Sequence, residues 1–158
     1  GCEVINSTAK IAYAYISRDH HSIHEDNFLA PTPYLFLPDN ETTLHVTIEF
    51  GLIGLNDDHF YSLFTRFYDS QGNEVGYPND ITEPNKYATF FAKTGEFALS
   101  TSSTERFRVV GSGYYKVEIT LYEYGSEYKD KDLTTLCDSA NIAHTYDIYV
   151  AIASEWSE

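Results

Sequence analysis

Methionine is missing from the sequence altogether, tryptophan occurs once, and only two cysteines and ten basic side chains stand among 158 residues. Each scarcity excludes something. With Cys2 and Cys137 as the only thiols, a multiply stapled disulfide framework is ruled out; one bridge between the ends and two free thiols remain equally compatible with the spacing. Ten Lys and Arg against 24 Asp and Glu leave a formal charge of −14. A field of that sign repels phosphate backbones and anionic lipid, so direct nucleic-acid binding is not expected. No run of 18 apolar residues is long enough to span a bilayer, and no basic-then-apolar leader opens the chain. Nucleophile and phosphate signatures are equally scarce. There is no Gly-x-Ser-x-Gly elbow, no Gly-rich loop ending in Lys, and no telling neighbourhood around either cysteine, so an enzyme is not expected.

The absent methionine also colours the start. Gly1 reads as a tag scar or a processing product, and residues 1–8 as a flexible N-terminal segment ahead of a single domain over 9–158. Were a leader removed there, Gly1-Cys2 would match the end of a bacterial lipoprotein cleavage site, with Cys2 lipid-anchored and the chain at the cell surface or secreted; otherwise a cytoplasmic protein is expected. Asn6-Ser7-Thr8 and Asn40-Glu41-Thr42 satisfy the glycosylation acceptor pattern, relevant only to a secreted eukaryotic protein.

What is present in abundance is aromatic side chain, 14 Tyr and 10 Phe, and strict alternation. Leu44–Phe50, Tyr115–Leu121 and Tyr146–Ile152 each place successive side chains on opposite faces, the period of a half-buried β-strand. Further strands are expected over 9–17, 34–37, 74–77, 87–92, 97–100 and 106–110. Phe60–Tyr68, apolar on both faces, reads as a central strand. Gly51–Gly54 reads as a flexible connection, 100–104 as a polar bridge, and 132–140 as a helical turn. Asp69-Ser70-Gln71-Gly72-Asn73 is a turn with good local chemistry, predicting a hairpin between 60–68 and 74–77. Eight or nine short strands without a sustained helical period predict an antiparallel β-sandwich, with a β-barrel as the alternative.

Phe64 to Val75, followed later by Gly113-Tyr114-Tyr115-Lys116-Val117-Glu118-Ile119, resembles the strand, aspartate-glycine turn, strand layout of many small bacterial sandwich domains. The resemblance implies a fold and no active site.

Three sets of residues carry candidate chemistry. Asp19-His20-His21-Ser22-Ile23-His24-Glu25-Asp26 concentrates imidazoles and carboxylates; His20, His21 and His24 are the candidate zinc ligands, set against a plain solvated loop bounded by prolines. The acidic turns at 56–58, 69–74, 79–80 and 130–132 offer oxygen ligands for calcium, although none matches the twelve-residue calcium loop and plain turn formation is the better explanation of them. The tyrosines opposite the apolar register are the third set: Tyr114, Tyr122 and Tyr124, with Tyr149 on the closing strand. Tyrosine combines an apolar ring with a hydrogen-bonding tip and is favoured in interfaces, yet it also stabilises sheets through cross-strand pairs.

Three functions follow as expectations. The first is a non-enzymatic sandwich that binds another protein or a second copy of itself. An acidic decoy that imitates DNA phosphates and occupies a basic protein is the second, weakened by the even scatter of Asp and Glu. The third is metal binding, or a metal-dependent activity, through His20, His21 and His24.

Overall fold

The computed structural model describes residues 7–17, 34–37, 42–75, 88–91, 97–125 and 141–153. Eight strands run through them: β1 Lys10–Ser17, β2 Tyr34–Phe36, β3 Thr43–Ile53, β4 Phe60–Tyr68, β5 Ala88–Phe91, β6 Ala98–Arg108, β7 Gly113–Tyr124 and β8 Ile142–Ala153. They form two sheets, ordered β1-β3-β6 and β2-β8-β7-β4-β5. Every ladder is antiparallel except that of β2 on β8, which runs parallel from Tyr34 opposite Ala151 to Phe36 opposite Ala153. The chain is an all-β sandwich.

Alternation builds the core. Val46, Ile48, Phe50 and Leu52 point inward from β3, and Tyr115, Val117, Ile119 and Leu121 from β7; all are buried in one continuous apolar cluster. Phe67 on β4 stacks on Phe107 on β6, with ring centroids 4.2 Å apart and planes at 11°, so the two sheets meet through aromatic rings. Phe107 also tilts against Tyr115, centroids 5.9 Å apart. The Tyr115 hydroxyl accepts the Val110 N–H at 2.9 Å and donates to the Gly111 carbonyl at 2.7 Å. That contact ties β7 to the turn preceding it, as the tyrosine corner does in other sandwiches.

Several strand boundaries differ from expectation, each for a physical reason. β3 does not end at Phe50 but continues through Gly51 to Ile53, because these residues pair with β1 on one side and β6 on the other, and the Tyr13 ring occupies the space a side chain at Gly51 would take. The chain turns at Gly54, which has φ +71 and so occupies the left-handed region. The supposed polar bridge 100–104 is the middle of β6, paired residue by residue with β3 from Ala98 opposite Ile53 to Arg108 opposite Thr43. A polar strand loses its sequence signal because backbone pairing, not burial, holds it. After the Asp69–Asn73 turn Glu74 bridges to Tyr68 and the Val75 N–H donates to the Phe67 carbonyl at 2.8 Å, while residues 76–77 of the expected strand lie outside the described residues. The turn forms as read: Asp69 Oδ1 accepts the N–H groups of Gln71 and Asn73, each at 2.9 Å, and Gly72 has φ +84.

Ser7 and Thr8, assigned from sequence to a flexible start, are tied to the body. Ser7 Oγ donates to Glu123 Oε1 at 2.5 Å, and Thr8 Oγ1 to the Gly54 carbonyl at 2.8 Å. His20, His21, His24, Cys2, Cys137 and the segment 132–140 lie outside the described residues.

Candidate functional site

The outer face of the five-stranded sheet is laid out by register. Reading across β4, β7 and β8, Phe60 lies opposite Tyr124 and Ser62 opposite Tyr122. Further along come the rows Arg66, Glu118, Asp147 and Tyr68, Lys116, Tyr149, and then Tyr114 opposite Ala151. All four tyrosines chosen from alternation belong to this face, but it is not uniform. At one end Phe64, Tyr122 and Tyr124 form a second apolar cluster with Phe60 packed against it. Tyr122 and Tyr124 are therefore buried, with 6% and 1% of their surface exposed, and Tyr124 shares a hydrogen bond with the Ser62 hydroxyl. Alternation identifies a face, not whether that face is covered, so these two tyrosines are removed from the candidate surface.

At the other end the face is open. Tyr114 is 71% and Tyr149 65% exposed. Together with Tyr68, Lys116 and the turn residues Asp69, Ser70 and Gly72 they line a cleft of about 320 Å³. Lys116 stands between Tyr68 and Tyr149 in the register and leans onto Tyr68, its Nζ 4.9 Å from the ring centroid. Arg66, one row further, lies 4.9 Å over the Phe64 ring and 4.0 Å from Glu74. Tyr68 is not among the residues that the sequence singles out, and Asp69 enters there only through the acidic turn 69–74; what brings both to this cleft is the hairpin turn, which a strand-by-strand reading does not relate to β8.

A second polar group closes the opposite end of the sandwich. Glu123 continues the inward register of Val117, Ile119 and Leu121 and is buried, so its carboxylate must be met by donors. Oε1 accepts from Ser7; Oε2 accepts from Asn56 Nδ2 at 2.8 Å and His59 Nδ1 at 2.7 Å. Tyr61, whose hydroxyl also accepts the Asn56 N–H at 2.7 Å, faces Glu123 across the ladder. Burial alone would raise the Glu123 pKa, but the hydrogen bonds of Ser7, Asn56, His59 and Tyr61 outweigh it and hold the carboxyl below its ordinary value. Burial and the neighbouring Glu123 charge push the Tyr61 phenol far up. A carboxylate so saturated with donors is a fastener, not a base awaiting a proton. An acid in the inward register was the sequence signal for it.

Among the described residues no three His, Cys, Asp or Glu side chains are grouped to hold a metal ion, and no helix is long and apolar enough to cross a membrane.

No protein-family model and no curated protein matches the chain. Solved structures do match. A putative beta-galactosidase from Bacteroides fragilis is similar at 12% identity and TM-score 0.51 over 89% of this chain, which spans only 17% of that protein's length. The C-terminal domain of Wzt is similar at 12% identity and TM-score 0.51, covering 95% of this chain and 76% of that domain. At such identity the likeness is one of fold.

Proposed function

We propose that the chain is a non-catalytic recognition domain that associates with a protein through the outer face of its five-stranded sheet, with Tyr114, Tyr149, Tyr68 and Lys116 as the contact. The observation that carries this reading is the contrast within one face: Tyr122 and Tyr124 are buried, while Tyr114 and Tyr149 stand in solvent beside a cleft. Aromatic rings left open on a sheet that elsewhere covers its own are what a partner buries, and tyrosine is enriched at such contacts. The fold supports the same reading, because a comparable sandwich occurs as one domain of a larger protein. The decoy reading draws less support: across the described ladders of this face the carboxylates form one facing pair, Glu118 and Asp147, and no row that would imitate a phosphate backbone.

The test places a photo-crosslinking amino acid at 114 or 149, and at 49 on the other sheet as control. Crosslinks to a protein, a second copy included, from 114 and 149 but not from 49 are expected. Crosslinks absent from both cleft positions in cells of the source organism would refute the reading.

A further inference from the structure

The charges around the cleft define what kind of segment it takes. Glu118 on β7 and Asp147 on β8 face each other directly across the ladder, on the same face as the exposed tyrosines and one row from Lys116 and Tyr149. Like charges directly opposite on a sheet repel, and neither takes a hydrogen bond or ion pair among the described residues. The nearest cation across the row, Arg66, is engaged by Glu74 and the Phe64 ring. At the cleft's other side Asp69 spends Oδ1 on two turn N–H groups, which leaves Oδ2 facing no donor of the turn. The open aromatic rings of the cleft, with Asp69 on its wall, thus lie one row from the facing Glu118 and Asp147 carboxylates, in a chain of net charge −14. One of its rings already holds a cation, since Lys116 lies over Tyr68; among the described residues no cation lies over the rings of Tyr114 and Tyr149.

Resting on the protein-binding reading above, we propose that the partner segment seated in this cleft is basic. An arginine or lysine side chain lies over Tyr149 and Tyr114, and a second cation bridges Glu118 and Asp147. A guanidinium suits the site better than an ammonium, because its plane stacks on a ring while its N–H fork meets carboxylates. An acidic segment would meet the carboxylate pair and the overall field with the wrong sign. A neutral ligand would leave the pair uncompensated. Lys116 in the cleft and Arg66 in the neighbouring row oppose a cation, and Lys116 makes the assignment testable by sign.

The probe is a short peptide of alternating glycine and arginine, compared with its citrulline counterpart, which keeps shape and hydrogen bonding without charge. Binding is followed by backbone amide shifts at low and physiological salt. Shifts centred on 114–118 and 147–151 are expected, with about tenfold weaker binding for citrulline and a similar loss in the double variant Glu118→Gln, Asp147→Asn, in keeping with electrostatic complementarity. Lys116→Met is expected to tighten binding several-fold, because it removes a repelling charge. Equal binding of the two peptides, shifts elsewhere on the acidic surface, or weaker binding on loss of Lys116 would each overturn the proposal. If the peptides fail while crosslinks from 114 and 149 still reach a protein, the basic partner is wrong and the recognition face stands. If both fail, the recognition face falls too. A neutral oligosaccharide in a parallel arm that binds better than the arginine peptide would reassign the cleft to glycans.

Discussion

The Ile11 N–H on β1 donates to Nδ1 of His144 on β8 at 3.0 Å, a side chain of one sheet completing the backbone of the other. The donor lies where the β1 ladder slips between Ile11 and Tyr13, so its N–H is left over by the bulge. Nδ1 accepts only in the neutral ring. Burial, with a smaller contribution from Lys10, holds the His144 pKa below its ordinary 6.5. The folded state therefore binds a proton less readily than the unfolded chain. His144 contributes its full stability above the ordinary value and loses it as pH falls through the lowered one. In urea unfolding between about pH 7.5 and 5, the stability gap between wild type and His144→Ala should start near 1 kcal/mol and close as the solution is acidified. A gap independent of pH would show that the ring nitrogen is not the acceptor.

Glu123 gives the same sign at lower pH. Its folded pKa lies below the ordinary 4.5, so its contribution is complete above that value and is lost as acid carries pH down through the folded one. Glu123→Gln keeps the shape but turns an NH₂ toward donors, and should cost about 2–3 kcal/mol at neutral pH. Chemical denaturation of the two proteins across the acid range should show the difference shrinking below about pH 4. Ser7 is one of the donors, so amide hydrogen exchange at residues 7–9 should also quicken in the variant.

Much of this arrangement was legible in the sequence, and the parts that were not share a cause. β4 and β7 stand where alternation and double-sided apolarity put them, because burial wrote itself into residue type at nearly every position. In sequence β6 looks like two strands and a bridge, because Ser100, Thr101, Ser102, Ser103 and Thr104 carry no apolar signal and their order comes from pairing with β3. The parallel β2–β8 contact was invisible, since pairing between distant segments leaves no local mark. In the site, alternation placed Tyr114 and Tyr149 on the outer face but could not tell them from Tyr122 and Tyr124. That distinction depends on Phe60 and Phe64 from another strand.

The tyrosine corner predicts a cost out of proportion to one oxygen atom. Tyr115→Phe removes a donor and an acceptor at once, orphaning the Val110 N–H and the Gly111 carbonyl. A loss of about 1–3 kcal/mol is expected, the range for unmet polar groups. Thermal unfolding of wild type and variant decides it; an unchanged midpoint would mean that water replaces the hydroxyl.

Gly54 is constrained twice over. Its φ of +71 disfavours any side chain, and an added Cβ would come within 2.2 Å of the Thr8 carbonyl oxygen, a backbone atom that cannot swing aside. Gly54→Ala should therefore cost about 1–3 kcal/mol and release the Thr8 hydrogen bond to this turn. At Gly51 the outcome should be milder, because the obstruction is the ring of Tyr13, a 42% exposed side chain that can turn outward at the cost of its hydrogen bond with Ser100. Denaturation midpoints ordered wild type, Gly51→Ala, Gly54→Ala would support this, and the reverse order of the two variants would contradict it.

The tyrosines of the outer face divide by what each one loses on removal. Tyr124 is enclosed with Phe64 and Tyr122, stacks near Phe60 with centroids 6.4 Å apart, and hydrogen bonds to Ser62. Tyr124→Ala opens a cavity and orphans a hydroxyl, so a loss of about 3–5 kcal/mol is expected. Tyr114 and Tyr149 make no such enclosure, and their replacement by serine should shift stability by less than about 0.5 kcal/mol. The pair of outcomes matters more than either one. If Tyr114→Ser and Tyr149→Ser fold with wild-type stability yet lose crosslinking or peptide binding, those rings serve recognition. If they cost as much as Tyr124→Ala, they are structural, and the open end of the sheet is no interface.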